Sequence, residues 1–298
     1  MQPAISVIFV THNRKDLLRR ALRSVILQTV PVDIIIMDDA SEDGTGDMIK
    51  QEFPFVHYYL SSISKGPSYQ RNEGAKHSRS EIIIFLDDDT VLQSNDTIET
   101  TIHDFDSPSI GAVAMPFINI LQDKKVKMYP PDNSRAYLVH AFIAAAFAIR
   151  NKCFQSVVGF REDFFYMGEE GDLCIRMLDA GYYVKLGTAT PAHHYQLAGR
   201  VSFAADFYGR RNDIYFLYLN APRSLLFFNL AATILKGIWF GIRVGRIRNM
   251  LKGMKAGLKL SFFDHKDFMI MPVKKTVYQR YRYLKKHEPL EKSKLIYN

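Results

Sequence analysis

The sequence of 298 residues has only two cysteines, Cys153 and Cys174, and they do not form a CxxC pair. This scarcity excludes a disulfide framework and a cysteine-ligated zinc site, and it is typical of the reducing cytosol. The glycine patterns GxGxxG and GxxxxGK[ST] are missing, which argues against a dinucleotide-dependent oxidoreductase and a P-loop ATPase. The N-terminal apolar run ISVIFV is too short for the core of a signal peptide, so we expect no cleaved leader.

Long hydrophobic runs are missing as well. Residues 225–242 come nearest to a membrane span, but Asn229, Thr233 and Lys236 interrupt them. A spanning helix needs about 20 predominantly apolar residues. We therefore expect this segment not to cross a membrane.

The charges are unevenly distributed along the chain. Residues 1–197 carry 19 lysines and arginines against 25 acidic residues, a net charge of −6. Residues 198–298 carry 20 against 6, a net charge of +14, so the overall charge of +8 conceals an acidic body and a basic tail. Such a tail favours an anionic partner, either a membrane surface or a polyanion.

Short apolar runs alternate with amphipathic segments over residues 1–90. Strands are predicted at 5–10, 34–37, 56–60 and 82–86, with helices between them. Ser41 is placed to cap the second helix, which we expect to run to about residue 53. Alternation of near-continuous apolar strands with helices predicts a parallel sheet covered by helices.

The stretch IIIFLDDDT, residues 82–90, ends a buried strand in three adjacent carboxylates. Crowded like charges are unfavourable unless a positive charge lies among them. In an extended chain Asp87 and Asp89 point to one side and Asp88 to the other. Two carboxylates on one side suit Mg²⁺ or Mn²⁺, whereas a loop of solvated acids is the simpler alternative.

Polar side chains follow three of the predicted strands, at the point where each strand ends: Thr11 to Asn13, Asp38 and Asp39, and Asp87 to Asp89. In open α/β sheets, ligands bind outside the carboxyl ends of the strands. We therefore expect these clusters to form one site. Asp38 and Asp39 could bind a nucleoside there, or they could be the acids of a helix N-terminus.

Five segments occur in the following order: SVIFVTHNR, IIIMDDASEDGT, GPSYQRNEGAKHS, IIIFLDDDT and FFYMGEEGDLCIRMLDAG. Together they resemble glycosyltransferase family 2, the inverting enzymes of the GT-A fold, and the layout is similar to bacterial rhamnosyltransferase-like members. The resemblance covers roughly residues 4–196. It implies an α/β fold with a Rossmann-like mixed sheet, helices on both faces and a helical C-terminal extension.

The resemblance also implies a division of the chain. A catalytic domain would occupy residues 1–200, with a nucleotide-binding half at 1–110 and an acceptor half at 111–200. Residues 201–298 would form a basic amphipathic extension that possesses the features of a membrane-associating segment.

The implied reaction moves a sugar from a nucleoside-diphosphate sugar to an acceptor hydroxyl, with a divalent cation, Mn²⁺ or Mg²⁺, at the diphosphate. The implied donor-binding residues are Thr11, His12, Asn13, Asp39, Arg71, Asp87 and Asp88. The implied metal ligands are Asp87, Asp89 and His194, with His193 as the alternative histidine. Asp39 would face the base, and Arg71 would reach the nucleotide or its phosphates. The alternative for Arg71 is a surface helix charge paired with Glu73 or a neighbour.

An inverting transfer needs one general base to take the proton of the acceptor hydroxyl. Family members usually have Glu-Asp ahead of a helix, and the aspartate is that base. In the segment GEEGD of this chain, Glu170 occupies the base position, Glu169 is the alternative and Asp172 is expected to be structural. Without the resemblance, these acids would be an ordinary helix N-terminus.

The tail combines apolar and basic stripes. Over residues 247–262 two sets recur at helical spacing, the apolar Ile247, Leu251, Met254, Leu258 and Phe262 and the basic Arg248, Lys252, Lys255 and Lys259. With residues 225–242, they predict helices lying on anionic lipid, and hence a cytoplasmic protein peripheral on the inner face of the cell membrane. The alternative is that the apolar stripe packs on the catalytic domain. The basic, aromatic run YQRYRYLKK could suggest nucleic acid, but a membrane surface explains it with fewer assumptions, and we expect no nucleic-acid partner.

The expected acceptor is a saccharide or a lipid-linked intermediate of cell-surface polysaccharide or glycolipid synthesis. Two alternatives stay open. A nucleotidyltransferase would normally have a glycine-rich phosphate loop near the N-terminus, and THNRKD is not one. A catalytically silent subunit that binds nucleotide-sugar or membrane has Glu170, in place of the usual aspartate, as its only support.

Overall fold

The computed structural model describes residues 5–196, 203–264 and 271–295. The strands are β1 (Ile5–Thr11), β2 (Asp33–Asp38), β3 (His57–Leu60), β4 (Ile82–Asp87), β5 (Thr90–Val91), β6 (Ile110–Ala114), β7 (Phe117–Asn119), β8 (Val126–Lys127), β9 (Tyr137–Val139), β10 (Ala146–Arg150), β11 (Tyr183–Leu186), β12 (Ala192–His194) and β13 (Leu290–Glu291). The helices are α1 (Lys15–Ile26), α2 (Thr45–Glu52), α3 (Pro67–His77), α4 (Thr97–His103), α5 (Asn151–Ser156), α6 (Glu169–Asp179), α7 (Phe203–Asn220), α8 (Arg223–Arg243), α9 (Ile247–Phe262) and α10 (Lys275–His287). Short 3₁₀ turns occupy Glu162–Phe164 and Lys292–Lys294.

The large sheet is mixed, with the strand order β13-β9-β11-β6-β10-β4-β1-β2-β3. The strands predicted from residues 1–90 form its parallel part, because β1 pairs in parallel with both β2 and β4. β10 runs antiparallel between β4 and β6 and makes the sheet mixed. The carboxyl ends of β1, β2 and β4 consequently meet at one edge, where the polar segments predicted from the sequence begin.

Helices cover both faces of this sheet, because successive strand residues point to opposite sides. Phe9 of β1 packs in one apolar cluster with Leu18 and Leu22 of α1. Ile8 packs in the other with Ala75 of α3. α3 lies very close to the sheet, since a Cβ on Gly74 would come within 2.7 Å of Ile8 Cγ2.

A smaller sheet, ordered β5-β12-β7-β8, lies beyond the end of β4. In it, His194 of β12 stands opposite Thr90 of β5 on one side and opposite Asn119 of β7 on the other. This sheet carries a histidine from late in the chain back to the three aspartates.

The second helix begins later than the sequence predicted. α2 starts at Thr45 after Gly44, whose φ of 83° is left-handed, and Ser41 does not cap it. Instead, the Ser41 hydroxyl accepts a hydrogen bond from the Asn13 backbone N–H, and the Asp43 carboxylate accepts one from the Lys15 backbone N–H. The turn between β2 and α2 thus binds the turn after β1.

Helices α7, α8 and α9 form a helical layer beside the sheets. α9 packs on α7 through small residues, and a Cβ on Gly253 would come within 2.4 Å of the Phe207 carbonyl oxygen. The buried face of α9 consists of Met250, Gly253, Met254, Gly257 and Ser261, whereas Leu251 and Phe262 of the predicted apolar stripe are exposed. Of the predicted stripe, Met254 is buried among α7, α8 and α9 and Leu258 is partly buried with it, so the stripe divides between packing inside the helical layer and exposure.

α8 is largely uncovered. Within the described residues it alone has the length and composition that would allow a helix to cross a membrane, and 11% of its most apolar window is buried. Phe227, Phe228 and Trp239 are 75%, 73% and 62% exposed. The expectation that this segment lies on a membrane rather than crossing it stays a prediction.

The end of the chain returns to the body formed by the sheets and their covering helices. Tyr278, Tyr281 and Leu284 of α10 are buried in the same apolar cluster as α1 and the sheet. β13 then pairs antiparallel with β9 and becomes an edge strand of the large sheet. The aromatic run at 278–286, considered from the sequence as a lipid-facing or nucleic-acid-facing segment, thus has a buried side on the body.

Candidate active site

Asp87, Asp88 and Asp89, the carboxylate cluster, lie where β4 ends and the chain turns into β5. Asp87 Oδ1 accepts a hydrogen bond of 2.9 Å from Arg71 Nη2 of α3. Asp88 faces the end of β1, where it accepts a bond of 2.9 Å from the Thr11 hydroxyl. Asp88 thus binds a different element from Asp87, namely the end of β1 rather than α3.

Arg14 contributes a cation that the sequence interpretation did not include. Its Nη1 lies 3.0 Å from Asp88 Oδ1 and 3.1 Å from Asp89 Oδ2. These charges outweigh the desolvation of the guanidinium and raise the pKa of Arg14. Arg14 directly follows the polar segment Thr11 to Asn13, so its position beside a predicted strand end was the available signal.

His194 closes the other side of the cluster. Its Nδ1 donates a hydrogen bond of 2.7 Å to Asn119 Oδ1 of the neighbouring strand. Its Nε2 faces Asp89 Oδ1 at 3.0 Å. A histidine whose Nδ1–H is held in this way presents Nε2 as a ligand atom. Of the two candidate histidines, His194 is the one brought to the cluster, and no sequence signal had indicated Asn119.

The donor set fits a hard divalent cation. One ligand atom each from Asp87, Asp89 and His194 lies within 4.8 Å of the others. Asp89 Oδ1 is buried and faces His194 Nε2 across 3.0 Å, so two of the ligand atoms already point at each other. Two carboxylates and an imidazole are ligands that Mn²⁺ accepts.

The protonation equilibria of the cluster show the cost of holding three acids together. Burial raises the pKa of Asp87 against the opposing charge of Arg71, and it raises the pKa of Asp88 to about 7 against Arg14. Burial also disfavours the charged form of Asp89, but the close contact and charge of His194 outweigh it and lower the pKa of Asp89. Additional positive charge here would stabilise the ionised forms.

Arg71 connects the carboxylate cluster to the start of α6. One arm binds Asp87, and Nη1 of the other lies 3.9 Å from Glu169 Oε1. Arg71 is buried and does not pair with Glu73, which binds Lys76 instead. The acidic N-terminus of α6 therefore lies close to Asp87, because the one guanidinium group of Arg71 contacts both.

The three acids in the first turn of α6 have different environments. Asp172 is fully buried and is bound by Arg161, Arg176 and Asn220, which is a structural environment. Glu169 is buried, and burial and the charge of Glu170 raise its pKa well above the usual range. Glu170 is half-buried, and its Oε1 accepts a long bond of 3.4 Å from the Ala144 backbone N–H. Glu170 is thus the one of the three whose carboxylate is partly accessible.

Asp39 is committed to the protein itself. Its two oxygens accept hydrogen bonds from the Ser64 hydroxyl, the backbone N–H groups of Lys65 and Gly66, and the Gln70 amide. Desolvation is outweighed by these donors, and the pKa of Asp39 is lowered. The Asp39 carboxylate anchors the loop ahead of α3. A nucleobase could therefore bind only those lone pairs of Asp39 that these donors leave free.

The turn after β1 contacts the backbone of Asp39. His12 Nδ1 donates a hydrogen bond of 2.7 Å to the Asp39 carbonyl oxygen. Asn13, with a left-handed φ of 53°, accepts a bond from the Glu42 backbone N–H. Thr11, His12, Asn13 and Asp39 therefore form one wall beside the carboxylate cluster.

A family model described as Glycosyl transferase family 2 matches residues 6–165. A Campylobacter jejuni protein named GalNAc(5)-diNAcBac-PP-undecaprenol beta-1,3-glucosyltransferase is 34% identical over 97 residues, which is 31% of each chain. Alignments with the curated relatives span between 28% and 48% of those relatives' own length.

Solved structures resemble the whole described architecture. S. aureus TarS 1-349 in complex with UDP has a TM-score of 0.65 at 14% identity, covering 96% of this chain and 88% of that one. A mannosyltransferase, PcManGT from Pyrobaculum calidifontis, solved with GDP-Man and Mn²⁺, has a TM-score of 0.57 at 16% identity, covering 89% of both chains. At these identities the likeness shows the fold, and the predicted GT-A architecture is confirmed.

Proposed function

The chain belongs to glycosyltransferase family 2, and on that premise we propose that it transfers a sugar from a nucleoside-diphosphate sugar to an acceptor hydroxyl with inversion at the anomeric carbon. The observation that carries this proposal is the convergence of Asp87, Asp89 and His194, with a buried oxygen of Asp89 facing the His194 imidazole. A site of this composition fits a cation-bound diphosphate better than a neutral ligand.

We assign the donor to the edge formed by β1, β2 and β4. Thr11, His12, Asn13 and Asp39 would bound the nucleoside, while Arg71, Asp87 and Asp88 would lie at the diphosphate. Arg14 joins this set because it faces the same carboxylates. Asp87, Asp89 and His194 would hold Mn²⁺ or Mg²⁺, which when bound neutralises negative charge on the diphosphate.

Glu170 is proposed as the general base. As the acceptor oxygen attacks the anomeric carbon from the face opposite the diphosphate, Glu170 takes the proton of that hydroxyl and the bond to the diphosphate breaks. Its half-buried carboxylate supports this choice over Glu169, whose raised pKa and contact with Arg71 suit a residue that shapes the site.

Release of nucleoside diphosphate tests the proposal directly. Purified protein is incubated with a panel of nucleotide-sugars in Mn²⁺, Mg²⁺ or EDTA, with and without saccharide and lipid-linked acceptors. We expect one donor to yield its diphosphate only when metal is present, and NMR of the product to show the inverted anomer. Binding of a nucleotide without any release would favour the silent subunit, and release of pyrophosphate would favour a nucleotidyltransferase.

We further propose that the helical layer rests on the inner face of the cell membrane and brings the site to a lipid-linked acceptor. The exposed aromatic residues of α8 and the exposed basic side chains of α9 support a surface that contacts anionic lipid. The Campylobacter jejuni relative is named for an acceptor on undecaprenol diphosphate, which is consistent with an acceptor of this class in glycoconjugate synthesis.

A further inference from the structure

The segment between the 3₁₀ turn and α6 has an unusual backbone. Phe165 and Met167 have left-handed φ values of 56° and 69°, and Gly168 follows with 89°. Side chains other than glycine rarely adopt this conformation, and it persists only when the surroundings impose it. Gly168 is also the N-cap of α6, and no side chain caps that helix. The start of α6 is therefore fixed from outside the segment.

Asn212 of α7 supplies that fixation. Its side-chain amide nitrogen lies 2.9 Å from the carbonyl oxygens of Phe164 and Tyr166, and 2.5 Å from that of Met167. Three carbonyl groups thus share the donors of one amide. Asn212 is 2% exposed, so water could not easily replace these hydrogen bonds, and losing them would be costly.

Arg211 holds the amide in orientation. Its Nε donates a hydrogen bond of 2.8 Å to Asn212 Oδ1, which directs the Asn212 nitrogen toward the loop. The Arg211 Nη2 group itself donates to the carbonyl oxygens of Asp163 and Phe164. Two adjacent residues of α7 therefore bind four of the five backbone carbonyl groups from Asp163 to Met167, the exception being that of Phe165.

We propose that Asn212 is a positioning residue for the general base. By holding the loop at 163–168 in its left-handed path, it sets where α6 begins and therefore where Glu170 stands in the site. This inference rests on the proposed function, since it assigns to α7 the placement of the base assumed there. Asn212 touches neither Glu170 nor the carboxylate cluster, so it acts through the backbone.

Its position makes a separable prediction. The residues proposed to bind the donor lie on α3 and on or directly after β1, β2 and β4. The three carbonyl groups bound by Asn212 lie outside these elements. The start of α6 does reach the donor residues, because Glu169 lies 3.9 Å from Arg71. Loss of the amide donors should consequently lower kcat by more than it weakens donor affinity. A residue that served only overall stability would instead lower the melting temperature and change both constants together.

The experiment compares Asn212→Asp and Asn212→Ala with wild type. The aspartate variant keeps size and shape but removes the N–H donors, and it stays informative if the alanine variant does not fold. Asn229→Ala is the matched control, because the Asn229 amide also donates to a carbonyl oxygen, that of Leu225, but within its own helix. The measurements are kcat, the KM of the donor, binding of UDP and GDP by calorimetry, and hydrogen exchange of amides 164–170.

We expect kcat of Asn212→Asp to fall by ~10–100-fold, a loss of the size seen when remote changes misplace reacting groups. The KM of the donor and diphosphate affinity should change by a smaller factor than kcat, and amides 164–170 should exchange faster. A kcat within twofold of wild type in the folded variant, or an equal loss of donor affinity, would overturn the inference. A wild-type protein that transfers no sugar would instead refute the proposed function, while unchanged exchange in the variant would refute the hold on the loop.

Discussion

The edge of the sheet and the helical layer reach the site by different routes. At the edge, β1, β2 and β4 end side by side, so short polar segments that follow them meet without further help. In the helical layer, α7 contacts the loop before α6 through side chains that lie more than 40 positions away in sequence. The first arrangement follows from strand pairing, and the second depends on a specific packing of helices.

This difference separates two kinds of functional residue. Residues at the edge offer charge and ligand atoms directly to a bound donor, and their replacement should remove chemistry or binding. Residues of the helical layer act through backbone position or through contact with a surface, so their replacement should change rates or location by smaller factors. Each prediction below tests one side of this division.

The largest effect is expected at the start of α6. Glu170→Gln removes the proposed proton acceptor while keeping its shape, and kcat should fall by ~10²–10⁴-fold. Glu169→Gln is the matched control, because it replaces a buried carboxyl whose pKa burial already raises, and it should retain most of the turnover. Steady-state kinetics with the identified donor measure both. Equal losses in the two variants would contradict the assignment of Glu170 alone.

An intermediate effect is expected at the metal ligands. Asp89→Asn should greatly weaken Mn²⁺ binding measured by calorimetry or electron paramagnetic resonance, because the amide that replaces the carboxylate carries no negative charge. Asn119→Ala should weaken Mn²⁺ binding by ~10-fold, since the His194 ring loses the acceptor that orients it.

Asn133→Ala serves as the control for the asparagine variant. Asn133 is exposed and its amide donates to the Tyr129 hydroxyl, away from the carboxylate cluster. Unchanged Mn²⁺ affinity in Asn119→Ala would show that His194 is held in place without the Asn119 side chain.

The smallest effect is expected at the exposed face of the helical layer. Phe228→Ala should weaken binding to vesicles containing anionic lipid by up to ~10-fold, because one large apolar side chain is no longer buried in the lipid. Trp239 is the one tryptophan of the sequence, so a blue shift of its emission on vesicle addition reports contact with lipid.

Phe55→Ala is the matched control, because Phe55 is 61% exposed but lies on the catalytic body, after α2. An equal loss of vesicle binding in both variants, or no shift of Trp239 emission, would remove the helical layer as the membrane surface. Binding that survives high salt would indicate that apolar contact dominates over the basic stripe.

Sequence patterns predicted the parallel strands and the carboxylate cluster, because both follow from periodicity or from strand ends, whereas the late histidine was expected from the resemblance to the family. They did not predict Asn119 or Asn212, whose partners His194 and Met167 lie 75 and 45 positions away. Such pairs depend on tertiary register, which local propensity does not encode. Arg14 was within reach of the sequence, since it extends a polar segment already assigned to the site.

The apolar stripe of α9 was recognised from its spacing, but the packed face was not. Gly253 and Gly257 allow α7 to approach so closely that the face shared with Met250 and Met254 becomes the interface, while Leu251 and Phe262 stay exposed. A count of hydrophobic residues favours the opposite arrangement, because it ignores the distance between two backbones.

The return of the chain to the sheet gives the helical layer two attachments. α7 binds the loop before α6, and α10, which follows the helical layer in sequence, packs on the body and leads to β13 at the sheet edge. A layer joined at both ends is restrained from swivelling, unlike one that hangs from a single linker. If the layer lies on a bilayer, the mouth of the site would keep a fixed tilt and height above it, so the reach of the enzyme would select acceptors by how far their hydroxyl stands from the lipid surface.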